Sequence, residues 1–466
     1  MDSSMKDPDW DPVPLIAGSG GVLTEELRTS HAGRRALMLT RNENPTEFLA
    51  LADTMDVQVV EIVAQRGRSD KRTHLGRGRL EAIRDELRMA PESHPWFGID
   101  LVLVNANLSA RQLVNMTDML QCETWDRVRL LLELFTQHAS SVEARNQVRI
   151  ARLNADRNVL RELVNRETTG ERLGYGAGGR TGWNVALNAL NRELKTLRGR
   201  QRRYSRAIKE RQRQRRASGA RTVGLAGYTN AGKSSLFASL CGKPVIVEDR
   251  YFSTLETTVG RMQFSPRVLL VDTIGFIDDI PSDLLDAFSA TLKESLECDL
   301  LLLLLDCSDP VEEVVRKFET SRRELFDRSD PDAGSYDLLV VLTKQDSCSE
   351  SHVVAVNHAL DSFGVSETIL TSSTSSEGIE HLRSNILTRL HGPPISFLVS
   401  PPNSASDRPI AAIESEIRRN SMVGERRMSD EGLHLVAWID PADWVRLNRS
   451  LGDRIHREVD QPSQAE

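Results

Sequence analysis

The chain has 466 residues, of which 39% are hydrophobic and 27% charged, and its formal net charge is −7 at pH 7. This composition is typical of a globular protein, and the length predicts about three domains rather than a single core. It excludes a polycation, so any contact with nucleic acid must come from a local basic region.

Cysteine usage and hydropathy indicate a reducing compartment and no membrane span. The five cysteines are scattered and include no C-x-x-C pair, which argues against a disulfide framework or a zinc site. The most apolar run, Leu300 to Leu305, is far shorter than the roughly 20 residues needed to cross a bilayer. The polar, acidic N-terminus does not resemble a signal peptide. We therefore expect a cytoplasmic protein, and a monomer.

The first part of the chain predicts a tail followed by a parallel sheet. Residues 1–33 show little periodicity and are expected to form a flexible tail. From Arg35 onwards, strands alternate with single helices, which predicts a parallel α/β domain over residues 34–138. The predicted elements are strands at 35–40, 57–63 and 99–105, and helices at 47–55, at 79–88 and from Ser109, the N-cap.

A glycine pair precedes the second predicted helix, in the segment His74 to Leu80. Two glycines at a helix start could form an anion-binding turn. A plain glycine-containing connection fits the same residues equally well, and both readings stay open.

Residues 139–218 predict a helical hairpin with a glycine-rich linker. Apolar residues recur every three or four positions over 141–166 and again over 183–208. The outer face of the second helix is almost purely basic in an acidic chain, which favours a phosphate backbone as partner over simple solvation. Aromatic residues are sparse there, so structured RNA fits better than single strands. The basic residues are Arg192, Lys195, Arg198, Arg200, Arg202, Arg203, Arg206, Lys209, Arg211, Arg213, Arg215 and Arg216, opposed only by Glu193 and Glu210.

The next segment has the pattern of a phosphate-binding loop. It lies between the apolar run 222–226 and a helical pattern that starts near Ser235, which is the strand–loop–helix context such a loop requires. Backbone N–H groups and the helix N-terminus are expected to surround phosphate oxygens. Lys233 is predicted to reach the β- and γ-phosphates, and the Ser234 hydroxyl to hold Mg²⁺. The binding residues are Gly227, Tyr228, Thr229, Asn230, Ala231, Gly232, Lys233, Ser234 and Ser235.

Two further segments predict nucleotide-sensing switches. Thr258, before a strand expected near 261–264, is predicted to place its hydroxyl on Mg²⁺, with Thr257 as the alternative. Asp272 ends the buried strand 268–271 and is predicted to bind Mg²⁺ through water. The Gly275 N–H would sense the γ-phosphate, so that hydrolysis relaxes the segment.

Two motifs after later strands are suited to reading guanine. The Asp346 carboxylate can accept hydrogen bonds from both N1–H and the exocyclic amine of guanine, a donor pair that adenine lacks. Lys344 can cover the base, and a backbone N–H within 371–374 can meet guanine O6. All four motifs follow the carboxyl ends of strands, where open α/β sheets bind ligands. We therefore predict a doubly wound, mostly parallel P-loop GTPase domain over residues 219–392.

These motifs resemble those of the HflX family of GTPases. The segments are GYTNAGKSSL, FSTLETT, LLVDTIGF, LTKQD and TSSTS, with HLGRGRLEAI and DRVRLLLELF upstream, and the likeness covers roughly residues 36–390. The resemblance implies a GTP-hydrolysing protein that binds the rRNA of the large ribosomal subunit and splits or rescues ribosomes. By position it implies catalytic roles for Lys233, Thr258 and Gly275, with Mg²⁺ held by Ser234, Thr258 and Asp272. The residues implied to read the base are Thr343 (where Asn is commoner), Lys344, Asp346, Ser372 and Ser373.

Two positions set this chain's expected chemistry apart. Phe276 stands where many GTPases carry a water-orienting glutamine, which predicts slow intrinsic hydrolysis that ribosomes accelerate. Asn230 resembles the P-loop asparagine of potassium-stimulated GTPases. Two interpretations stay open: Asn230 helps to bind K⁺ as a cofactor, or it only braces the loop. The glycine-rich linker departs from the family pattern, because acidic residues and paired arginines are missing after Gly179.

The end of the chain predicts a small α+β domain at 393–466, with strands at 397–399 and 433–439 around a polar stretch. Two other functions stay open for the whole protein. One is a ribosome-assembly or RNA-remodelling factor that also uses ATP. The other is a nucleotide-gated binding scaffold with negligible turnover.

Overall fold

The chain divides into two compact units, one with the described residues up to Glu210 and one with those from Arg211 onwards. A computed structural model describes residues 31–41, 45–139, 141–168, 179–217, 220–242, 258–263, 268–272, 275–276, 298–328, 337–402, 407–439 and 441–457. Residues 1–30 of the predicted tail, residues 169–178 of the glycine-rich linker and Thr257 lie outside these residues. Within these residues no helix is long and apolar enough to cross a membrane.

The first unit opens with the predicted parallel α/β sheet, whose four strands have the order β2-β1-β3-β4. The sheet's inner strand β3 is buried at every residue, as expected for a parallel strand covered on both faces. Strand β4 was not predicted, because its three residues are too few to show a hydrophobic period. The elements are β1 Arg35–Thr40, α1 Thr46–Thr54, β2 Gln58–Ala64, α2 Arg77–Met89, β3 Leu101–Val104, α3 Ala110–Leu120, β4 Glu123–Trp125 and α4 Arg127–His138.

Local side-chain bonds set where two of these helices begin. Ser109 caps α3 as predicted, in a capping box that is completed by Gln112. Gly76 precedes α2, and its N–H donates to Gln65 Oε1 at 3.1 Å. That N–H is therefore already bonded within the protein, which favours the plain connection over an anion-binding turn.

Two long helices follow, α5 (Val142–Thr168) and α6 (Gly179–Ala217), and the residues of α6 from Arg211 onwards belong to the second unit. The second helix begins earlier than expected, inside the segment that sequence analysis assigned to the glycine-rich linker. The helices are joined by an ion pair between Arg149 and Glu193 at 2.8 Å and by a hydrogen bond from Arg198 to Asn154 at 3.1 Å. These contacts support the predicted pairing of the two helices.

The second unit contains a doubly wound sheet of six strands in the order β10-β9-β8-β5-β7-β6. All neighbours are parallel except β6, which runs antiparallel to β7. The elements are β5 Arg221–Gly227, α7 Lys233–Cys241, β6 Thr258–Arg261, β7 Val268–Asp272, β8 Leu300–Asp306, α8 Val311–Arg328, β9 Asp337–Thr343, a 3₁₀ turn Gln345–Ser347, α9 Glu350–Asp361, β10 Thr368–Leu370 and α10 Ile379–His391.

The prediction for β6 was wrong in position. The strand begins at Thr258 rather than near 261, so Thr258 belongs to the strand and pairs with Asp272. It is an edge strand with largely exposed residues, and it therefore lacks the apolar run by which the other strands are recognised.

The last part of the second unit is the predicted α+β fold, with a four-stranded antiparallel sheet in the order β12-β13-β11-β14. Its β-α-β-β-α-β sequence is the ferredoxin-like arrangement. Trp438 donates to Thr388 Oγ1 of α10 at 3.2 Å, so one end of this sheet packs on the larger one. The elements are β11 Ile395–Val399, α11 Ile410–Asn420, β12 Met422–Ser429, β13 Gly432–Trp438, α12 Pro441–Leu451, a 3₁₀ turn Gly452–Arg454 and β14 Ile455–Arg457.

Candidate functional site

The loop between β5 and α7 has backbone angles that favour glycine. Gly227 has φ +148°, and a Cβ atom there would lie 2.5 Å from the Leu304 carbonyl oxygen. Gly232, the N-cap of α7, has φ +79°. Asn230 adopts the left-handed conformation with φ +63°, which asparagine tolerates better than most residues. The loop therefore curls at the carboxyl end of the sheet, where phosphate-binding loops lie.

Lys233 lies under this loop with its ammonium group buried. Its Nζ donates to the carbonyl oxygens of Gly227 at 3.1 Å and Tyr228 at 2.6 Å. Burial lowers the pKa of Lys233 to about 8, although the nearby Asp272 carboxylate acts in the opposite direction. A phosphate group close to Nζ would favour the charged form and raise this pKa.

The three predicted magnesium ligands lie together. Ser234 Oγ donates to Asp272 Oδ2 at 2.9 Å, and the Asp272 side chain is almost fully buried at the end of β7. Thr258 is the strand partner of Asp272 on β6. Hydroxyl and carboxylate oxygens are the ligands that Mg²⁺ takes beside phosphate and water. Two hydroxyls and one carboxylate fit an Mg²⁺ ion that takes its remaining ligands from nucleotide and water.

The second switch pairs with the phosphate-binding loop through its backbone. Phe276 N–H donates to Gly227 O, and Thr229 N–H donates to Phe276 O, both at 2.9 Å. A Cβ atom on Gly275 would lie 2.6 Å from Lys233 Nζ and 2.8 Å from Thr229 N. Glycine is therefore required at 275 for this close approach.

Phe276 points into the protein rather than towards solvent. Its ring is 5% exposed and meets the Tyr228 ring edge-on, with 6.5 Å between centroids. An apolar ring in this position has no hydrogen-bonding group for water, as its sequence position suggested. Tyr228 is also flanked by the cations of Arg316 and Lys317, each 5.8 Å from its ring centre.

Thr343 connects the two halves of the site. Its buried Oγ1 lies 3.0 Å from Ala231 O in the phosphate-binding loop and 3.1 Å from Leu305 O at the end of β8. Thr343 was predicted among the nucleotide-binding residues, and that role stays a prediction. In the structure its hydroxyl ties the strand that carries the base-reading motif to the loop that carries the phosphate-binding motif.

The base-reading residues are fixed by short polar contacts. Ser372 Oγ donates to Asp346 Oδ1 at 2.6 Å, and this bond is the main reason why the pKa of Asp346 is lowered. Lys344, in the left-handed conformation, forms an ion pair of 2.6 Å with Asp306. No role was predicted for Asp306. It ends a buried strand, where it pairs with Thr343, and that position was the signal by which it could have been found.

The serine-rich turn after β10 is organised by one hydroxyl. Ser372 is fully buried, and its Oγ accepts from the N–H groups of Thr374 at 3.2 Å and Ser375 at 3.1 Å. Ser373 lies in the same turn and is half-buried. The structure therefore brings the predicted phosphate, magnesium and base residues to one edge of one sheet.

Comparisons with known proteins agree with this arrangement. Residues 222–344 match the family model described as 50S ribosome-binding GTPase, and residues 42–136 match GTP-binding GTPase N-terminal. The chain is 32% identical to GTPase HflX of Thermococcus kodakarensis over 68% of this chain and 71% of that protein. It is 30% identical to GTPase HflX of Thermofilum pendens over 73% of this chain and 80% of that protein.

A solved structure is also similar, a GTP-binding protein from Sulfolobus solfataricus in complex with GDP. It is 23% identical, covers 77% of this chain and 98% of its own, and superposes with a TM-score of 0.40.

Proposed function

The chain belongs to the HflX family of GTPases, and from this membership we propose that its GTP-bound form attaches to the rRNA of the large ribosomal subunit and splits or rescues ribosomes. It binds and hydrolyses GTP, as members of this family do. The ribosomal partner is supported by one family model's description and above all by the surface of α6.

The observation that carries this proposal is the exposed basic face of α6. Each basic side chain described on this helix is exposed, whereas Leu190, Leu194 and Leu197 are buried. Exposed cations that have few acidic neighbours bind a phosphate backbone by releasing its counterions. The exposed residues are Arg192, Lys195, Arg198, Arg200, Arg202, Arg203, Arg206, Lys209, Arg211 and Arg213.

For nucleotide chemistry we assign roles by contact. Lys233 would balance the charge of the β- and γ-phosphates, and Gly275 allows the second switch to approach them. Ser234, Thr258 and Asp272 would hold Mg²⁺, which bridges phosphate oxygens and neutralises developing charge. Asp346, kept ionised by Ser372, would accept the guanine donors, and Lys344 would cover the base. The Asn230 side chain is the candidate for a K⁺ ligand.

Hydrolysis by the isolated chain is proposed to be slow. Phe276 is buried against Tyr228 and offers no group that could orient the attacking water. The ribosome would have to supply or order what is missing, as activating partners do for other GTPases.

Sedimentation through sucrose gradients with a non-hydrolysable GTP analogue tests the proposal. Dissociated subunits, with the protein on the large one, would support splitting. Association only with precursor particles would indicate the assembly factor, and binding without turnover on ribosomes would indicate the scaffold.

A matched pair of variants tests the basic face. Arg200, Arg202, Arg203 and Arg206, all exposed, are changed together to Gln in one variant and to Lys in the other. The Gln variant removes four positive charges and should lose at least roughly tenfold in ribosome affinity, whereas the Lys variant keeps the charge and should bind nearly normally. Equal binding by both would refute the assignment.

A further inference from the structure

We propose that Cys307 and Cys348 form a peroxide-sensitive disulfide that weakens guanine binding. The inference rests on the proposed base-reading role of Asp346, which lies two residues before Cys348. All cysteines among the described residues are free thiols in the structure.

The two thiols lie beside the base-reading motif. Cys307 follows β8 directly and belongs to the apolar cluster against which the Cys348 side chain packs. The Cys307 N–H donates to Thr343 O at 3.0 Å, and Cys348 Sγ donates to Lys344 O at 3.5 Å. Both cysteines are therefore anchored to consecutive residues of the segment that reads the base.

The two cysteines differ in access. Cys307 is fully buried, whereas Cys348 is half-buried and borders the same apolar cluster. Burial raises the pKa of the Cys307 thiol to about 12, so this thiol is a poor first nucleophile. Cys348 is consequently the residue that hydrogen peroxide reaches first.

The reaction is balanced with peroxide as the oxidant. The Cys348 sulfur attacks a peroxide oxygen, which gives a sulfenic acid and releases one water. The Cys307 sulfur then attacks the sulfenic sulfur, loses its proton, and a second water leaves as the S–S bond forms. The two thiols together lose two electrons, and one peroxide becomes two waters.

Closing this bond would move the base-reading residues. The two sulfurs are free thiols and must approach to the roughly 2.05 Å of a disulfide. Cys307 is fixed at the end of a buried strand, so the 3₁₀ turn Gln345–Ser347 has to shift. Asp346 would then lose its alignment with Ser372, and with it the geometry that guanine requires. We expect GDP affinity to fall roughly 10- to 100-fold, the range for losing a hydrogen bond to a charged group.

The test uses the full chain, reduced and then treated with hydrogen peroxide that is afterwards removed with catalase. Peptide mass spectrometry without reduction should show a 307–348 crosslink, and fluorescent GDP titration should show the loss of affinity, which dithiothreitol reverses. Cys348→Ser and Cys307→Ala should keep their affinity under peroxide, provided that each variant melts as a folded protein. Cys122→Ser, which removes a half-buried thiol of the first unit, should behave like the parent.

Two outcomes overturn the inference: no crosslink in the folded parent, or a crosslink with unchanged GDP affinity. If Cys307→Ala fails to fold, Cys348→Ser alone decides, because its residue is half-buried and outside the strand. The reduced parent is compared with GDP and ADP in the same assay. An absence of guanine preference there would contradict the proposed function rather than the disulfide.

Discussion

Thr343→Val is the substitution that best isolates the connection between the two halves of the nucleotide site. Valine has nearly the same shape, so the change removes a hydroxyl without opening a cavity. The lost hydroxyl is buried and lies 3.0 Å from Ala231 O and 3.1 Å from Leu305 O. A buried hydrogen bond of this kind contributes about 1 kcal/mol, so the free energy of unfolding should fall by about that amount.

The same bond should also appear in nucleotide affinity. The bond from Thr343 to Ala231 O is expected to hold the base-reading and phosphate-binding motifs in their relative positions. A loss of about 1 kcal/mol of binding free energy would then weaken the Kd for GDP roughly fivefold. Thr343→Ser keeps the hydroxyl and should bind GDP as the parent does. The assays are urea unfolding and fluorescent GDP titration on the full chain.

Thr371→Val supplies the matched control. Its hydroxyl is equally buried, and it donates at 3.3 Å to Leu342 O of β9 rather than to the phosphate-binding loop. We expect a similar loss of stability with little change in GDP affinity. If Thr343→Val and Thr371→Val weakened GDP binding equally, or if Thr343→Val left it unchanged, the proposed connection would be refuted.

Four further predictions concern the phosphate half of the site. Gly275→Ala should reduce GTP turnover at least tenfold, because the added Cβ would lie 2.6 Å from Lys233 Nζ and 2.8 Å from Thr229 N. A single-turnover rate equal to that of the parent would contradict this. GDP affinity should fall as pH rises through about 8, because free Lys233 loses its proton there whereas the phosphate-bound lysine keeps it; Lys233→Met should bind weakly at every pH, and a flat parental profile would be evidence against the lysine. In the nucleotide-free protein the same lowered pKa should raise the free energy of unfolding as pH rises from about 8 to about 10.5. In that window Lys233 has lost its proton in the folded chain but keeps it in the unfolded chain. If Asn230 is a K⁺ ligand, turnover in KCl should exceed turnover in NaCl, and Asn230→Ala should make the two rates equal; equal parental rates leave asparagine as a brace for the loop.

The phosphate-binding loop and the strand order around it could be predicted because local rules and tertiary packing agree there. Gly227 and Gly232 have backbone angles that favour glycine. Residues 300–305 are apolar throughout, which predicts a strand in the interior of a parallel sheet, where both faces are covered. The start of α3 could be predicted for the same reason, because its capping box needs only Ser109 and Gln112, which are three positions apart.

What sequence reasoning missed depends on contacts between distant residues. The edge strands β6 and β12 carry polar, exposed residues, so no hydrophobic period marks them. The pairing of Asp306 with Lys344 and the bond from Thr343 to Ala231 join residues 38 and 112 positions apart, and only the folded sheet brings them together. Cys307 and Cys348 lie at one apolar cluster for the same reason, so the scattered cysteines of the sequence gave no sign of it.

The most direct test of a ribosome-activated GTPase is the rate of GTP hydrolysis, measured with and without purified large ribosomal subunits at fixed Mg²⁺ and K⁺. We predict a slow rate for the chain alone and at least roughly tenfold stimulation by large subunits. The stimulation should be lost when the four α6 arginines become Gln but not when they become Lys. A fast rate without ribosomes that large subunits leave unchanged would contradict ribosomal activation.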